Sequence, residues 1–131
     1  MKSETSGWVF FAKNDMLTAE LIIDRAELTG EVAFHCQQAI EKYFKGYLVE
    51  YGNEPPKIHD LLKLYSEVKS IKDWNLDKNI LRDISDIYTV TRYPGNIGMT
   101  PDGRLPTMEE ARSYWEFAKK VEAVFTELVG K

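Results

Sequence analysis

The chain has 131 residues, a mass of 15.1 kDa, 44% apolar residues and a formal net charge of −4. That is enough for one domain around one core, which excludes global disorder. The acidic balance excludes strong phosphate-driven binding to duplex DNA, and no apolar run approaches the roughly 18 residues that a membrane span needs.

Near the N-terminus, Lys13, Asn14 and Asp15 interrupt the apolar residues, so no secretory core follows residues 1–5 and the chain reads as cytoplasmic. The lone Cys36 excludes an internal disulfide framework and a cysteine-based zinc site.

Helical periodicity dominates, with no alternating strand pattern. The first helix is predicted over about residues 5–27. Trp8, Phe11, Ala12, Met16, Ala19, Ile22, Ile23 and Ala26 fall on one face. Asp15 falls on that face too, the anomaly of this helix. Thr29-Gly30 reads as a short connection. A second helix follows over about residues 31–51, closed by Gly52, with Cys36, Ala39, Ile40, Tyr43 and Tyr47 on its apolar arc. Pro55 and Pro56 then forbid continuation.

A short third helix is predicted over about residues 60–69, and a fourth over about residues 76–93, ended by Pro94. Residues 94–106 hold three Pro and three Gly and form the one long loop. The last helix starts at Thr107, where Glu110 three residues on makes a capping box, and carries Ala111, Tyr114, Trp115, Ala118, Val121, Phe125 and Leu128. The sum is an all-α, up-and-down antiparallel bundle of four long helices and one short one, forming a single domain over residues 1–131.

The chemistry concentrates on the second helix. At about 100° per residue, with His35 at zero, Lys42 lies at about −20°, Gln38 at about −60° and Lys45 at about −80°. These side chains form one polar strip whose donors suit a phosphate or a base edge, although an ordinary solvated face has the same pattern. Gly46, at about +20°, costs roughly 1 kcal/mol in a helix interior, so a second backbone is expected to pack closely there. Asp15, among apolar neighbours, needs a cationic partner, and Lys42, His35 and Arg92 are the candidates. His59 stands before the third helix, where it packs on the second helix or joins Lys57 in a weak anion site. Ser85, Tyr88 and Arg92 share a face of the fourth helix; Arg92 suits the dipole at that helix end or reaches a phosphate bidentately. No Gly-rich phosphate loop and no histidine pair at metal spacing occurs. Cys36 reads as an inert core thiol.

Four segments resemble the HEPN domain family, named for higher-eukaryote and prokaryote nucleotide-binding domains. They are Ala12-Lys13-Asn14-Asp15-Met16-Leu17-Thr18-Ala19, the stretch from Phe34 to Leu48 with Gln38-Ala39-Ile40-Glu41-Lys42 at its centre, Ile58-His59-Asp60-Leu61, and Tyr88 to Pro94 with Arg92-Tyr93-Pro94. The resemblance implies a helical bundle that dimerises. It also implies genomic pairing with a small nucleotidyltransferase, often as a toxin–antitoxin module. Many members are metal-independent ribonucleases, in which an Arg is followed within two turns by a His and two copies meet across the dimer.

Here Arg92 is followed by Tyr93-Pro94-Gly95-Asn96-Ile97-Gly98-Met99, and no histidine occurs after His59. The proton-transfer group of that mechanism is missing. The expectation is therefore a non-catalytic homodimeric module that binds a nucleotide or RNA and works beside a nucleotidyltransferase. It has no catalytic residue, cofactor or metal. His35, Lys42, Lys45 and Arg92 are its phosphate contacts, supported by Asp15, Gln38 and His59. The rivals are a divergent ribonuclease using Arg92 with His35 or His59, and a purely structural dimerisation domain.

Overall fold

The structure, a computed structural model, describes residues 1–90 and 104–130, with side chains through residue 87 and again from residue 104. Five helices form it: α1 (Ser3–Ile22), α2 (Thr29–Glu50), α3 (Leu61–Lys69), α4 (Lys78–Val90) and α5 (Met108–Val129), with a 3-10 turn at Ala26–Leu28 between the first two. They pack as the expected helical bundle, and the described residues contain no strand. None of these helices is long and apolar enough to cross a membrane.

α2 is the axis of the bundle and touches each of the other four helices. It is buried along nearly its whole length, from Thr29 to Val49. A helix surrounded on all sides has no wide solvated face, so its polar residues must find partners inside the protein. α1 runs antiparallel to it. The Lys2 backbone N donates to Glu50 Oε1 at 2.9 Å, and Lys2 Nζ donates to the Val49 carbonyl at 3.2 Å, which ties the start of α1 to the end of α2.

Two boundaries differ from the periodicity. α1 ends at Ile22, where Ile23 N reaches back to Glu20 O and Arg25 N to Ile22 O. An antiparallel hairpin needs its reversal there, and i→i−3 bonds tighten the chain into it. Thr29 and Gly30 form the buried first turn of α2 rather than a connection, because packing against α1 outweighs their weak helix propensity.

On α1 the small residues Ala12 and Ala19 take the seam with α2, beside Met16 and Asp15. Phe11, expected in the core, stays 57% exposed, and Ala26 is also exposed. Phe10, Leu17 and Leu21 are exposed as well, so α1 is apolar on both sides. Around α2 the core is aromatic: Phe44 stacks on Tyr65 at 5.6 Å between centroids, and Tyr47 meets Trp74 edge-on at 5.0 Å.

α3 and α5 start on side-chain caps. Asp60 accepts from Leu62 N and Lys63 N, so it caps α3 rather than belonging to it. Ser85, buried on α4, accepts from Leu61 N at 3.0 Å, which gives that serine a structural duty. α4 begins at Lys78, two residues later than its periodicity indicates. At the start of α5 both halves of the Thr107–Glu110 capping box form, and Arg104 clasps the Glu110 carboxylate at 2.8 and 3.1 Å.

Candidate functional site

Two buried carboxylates organise the polar residues of α2. The first is Asp15, which α1 carries into the seam. Its Oδ1 accepts from His35 Nδ1 at 2.9 Å and its Oδ2 from Lys42 Nζ at 2.5 Å. His35 and Lys42 are two turns apart on α2, so one carboxylate bridges both and locks α1 in register. The Asp15 side chain is 11% exposed, whereas His35 and Lys42 keep 25% and 23%. The pair therefore presents a fixed imidazole and a fixed ammonium at the lip of the seam. His35 Nε2 makes no hydrogen bond among the described residues.

The second carboxylate is Glu41. Lys45 Nζ donates to its Oε2 at 2.9 Å, His59 Nδ1 reaches both oxygens at 3.0 and 3.1 Å, and Gln37 Nε2 donates to Oε1 at 3.2 Å. Gln37 also reaches the His59 carbonyl, and Gln38 Nε2 donates to Gln37 Oε1 at 2.7 Å. The network pins the segment before α3 onto α2. Lys45 Nζ also stands 5.8 Å from the centre of the Trp8 ring, a cation–π approach that brings α1 into the same assembly.

Outside this network, Trp8 and Phe11 of α1 line a groove together with Glu4, Glu54, Pro55 and Lys57. The groove combines aromatic faces with one lysine and two carboxylates. Gly46 lets Trp8 of α1 pack closely on α2: a Cβ there would lie 3.1 Å from the Cβ of Trp8. The close neighbour expected from that glycine is α1.

The structure brings Asp15, His35 and Lys42 together, and separately Gln38, Lys45 and His59 around Glu41. Lys45, expected on the polar strip as a phosphate contact, is buried against Glu41, with its side chain 7% exposed. Arg92 lies outside the described residues, as does the loop that follows it. Angular position relative to His35 does not single out Glu41 and Gln37; the signal that marks them is the i, i+4 ladder Gln37, Glu41, Lys45. Cys36 is buried beside this region, and burial first, then the Asp15 charge, hold its thiol well above the usual range, which makes it unreactive.

The sequence model of one protein family, described as the HEPN domain, matches residues 5–128. No curated protein and no solved structure matches the chain.

Proposed function

We propose, from the premise that the chain belongs to the HEPN domain family, that it works by binding rather than by cleavage. It is a homodimeric, cytoplasmic module that holds a nucleotide or RNA phosphate and acts beside a separately encoded nucleotidyltransferase, as one half of a toxin–antitoxin-like pair. One observation carries the reading: His35 and Lys42 are held at the lip of the seam by a single buried carboxylate, with about a quarter of each side chain exposed. Donors fixed in advance lose little conformational freedom when a ligand arrives. Lys45, Gln38 and His59 form a second polar network around Glu41 on the same helix, and Arg92 is the remaining phosphate contact. The exposed apolar side of α1, with Phe10, Leu17 and Leu21, supports self-association.

Calorimetric titration with ATP tests the binding. The wild type is expected to give saturable heat, and Lys42→Ala and Arg92→Ala to weaken it about tenfold each, as for loss of a charge-assisted hydrogen bond. An absence of heat, or wild-type affinity in both variants, rejects it. Light scattering on Leu17→Lys tests the dimer, and a monomeric wild type rejects that part.

A second reading rests on the Asp15–His35 pair. In the neutral ring, Nδ1 donating to the carboxylate leaves Nε2 an acceptor, the arrangement of a general base. Metal-independent cleavage of RNA in EDTA, lost in His35→Ala, would establish a divergent ribonuclease instead.

A further inference from the structure

On other helices, away from α2's polar networks, the end of α3 and the start of α4 enclose an open pocket. Lys69 is the last residue of α3, Lys78 the first of α4, and Arg82 follows one turn later; all three line the pocket, together with Ser66 and Tyr65. None of the three cations has an ion-pair partner among the described residues. Arg82 Nη1 meets only the neutral amide of Asn79, at 3.3 Å, and Lys69 Nζ rests 5.7 Å from the centre of the Tyr65 ring.

This arrangement runs against local electrostatics. Lys69 suits the C-terminal end of α3, but Lys78 and Arg82 occupy the first two turns of α4, where the helix dipole is positive and acidic residues are favoured. The first turn of α4 holds no acidic residue. Lys78 titrates below the usual lysine range, chiefly because Lys69 stands within hydrogen-bonding reach, with desolvation and Arg82 adding to it and Asp73 opposing. The carboxylates that face the cluster do not close on it. Asp73 is held by the Tyr65 hydroxyl and by Asn75 N, and Asp86, which feels Arg82, does not pair with it. Asp77, directly before α4, spends its Oδ1 on the Asn79 N–H at 2.8 Å, so among the described residues no carboxylate closes an ion pair with any of the three cations, in a protein of net charge −4.

We propose that this pocket binds a compact phosphate group, either the free anion or the terminal phosphate of a small molecule. Two ammonium groups and the guanidinium fork surround the anion, and the Ser66 hydroxyl is a further donor. Binding relieves the repulsion between Lys69 and Lys78. The site shares no residue with the lip formed by His35 and Lys42, so it stands or falls independently of the function proposed above.

Calorimetric titration of the full chain with inorganic pyrophosphate at low salt is the test, repeated with adenosine monophosphate. Saturable binding is expected, weakened about tenfold in Lys78→Gln and in Arg82→Gln and unchanged in Lys120→Gln, which removes an exposed cation from α5. Tighter binding of the nucleotide identifies a nucleotide as the source, and binding no tighter than pyrophosphate identifies the free anion. Amide NMR shifts of the wild type, expected to centre on Lys69, Ser70 and Lys78, locate the site without any variant. No saturable heat for either probe, shifts elsewhere, or unaltered affinity in both variants overturns the proposal.

Discussion

Glu41 and Lys45, one turn apart on α2, form a buried ion pair: Nζ lies 2.9 Å from Oε2, and the two side chains keep 6% and 7% exposure. The two partners are not equivalent. Glu41 also receives His59 and Gln37, whereas Lys45 has Glu41 as its carboxylate and Trp8 as its neighbour. Glu41→Ala strands a buried ammonium and is expected to cost about 3–5 kcal/mol. Lys45→Met leaves Glu41 with two donors and is expected to cost at least about 1 kcal/mol less. Urea unfolding measures both, and equal costs would show that Glu41 is not the hub.

Asp15 couples α1 to α2 through two cations. Asp15→Ala is expected to destabilise the protein by about 2–4 kcal/mol, since it leaves His35 and Lys42 partly buried without a counter-charge. A double-mutant cycle between Asp15→Ala and Lys42→Met isolates the pair, with an expected coupling of about 1–2 kcal/mol. Strict additivity would mean that the pair contributes nothing specific.

Gly46→Ala sets helix propensity against packing. The substitution gains roughly 1 kcal/mol of propensity, but its Cβ would meet the Trp8 Cβ at 3.1 Å, closer than ordinary contact. Neither atom is the flexible end of a side chain, so α1 must shift. A net loss of about 1 kcal/mol is expected, and more for Gly46→Val. Thermal melts decide it, and a more stable Gly46→Ala protein would show that the seam yields freely.

The start of α5 carries a pH dependence. The Arg104 guanidinium first, then the Thr107 backbone N–H, hold the Glu110 carboxyl down to about 2. A carboxylate depressed in the folded state stabilises the protein above its unfolded value, near about 4.3, and that stability is lost as pH falls toward about 2. The stability gap between wild type and Glu110→Gln is expected to be largest at about pH 5 and above, and to close at the acid end. Urea unfolding across this range measures it; a gap independent of pH would mean the charge is irrelevant. Thr107→Ala removes the other half of the box, at about 1 kcal/mol.

The bundle was legible in the residue pattern because helical periodicity and capping are local. Thr107 with Glu110, Asp60 before α3 and Gly52 after α2 each mark an end within a few residues. Asp15 was legible too, since a carboxylate on an apolar face must find a cation and only a few were within reach. The surroundings of α2 were not. Angular position around one helix says which residues share a side, but not whether that side meets water, so Lys45 reads as a phosphate contact on an open strip when α1 and the segment before α3 in fact cover it.

Sequence pattern and composition thus establish the helical class, the family and the anomalous carboxylate, because each depends on residue types at short spacings. Which donors each carboxylate takes, that Phe11 stays outside while Gly46 admits Trp8, and that Lys69, Lys78 and Arg82 gather at one pocket are settled by the packing of whole helices. Those contacts join residues from different elements, and their geometry depends on how α1, α3 and α4 are set in space, which no local spacing encodes.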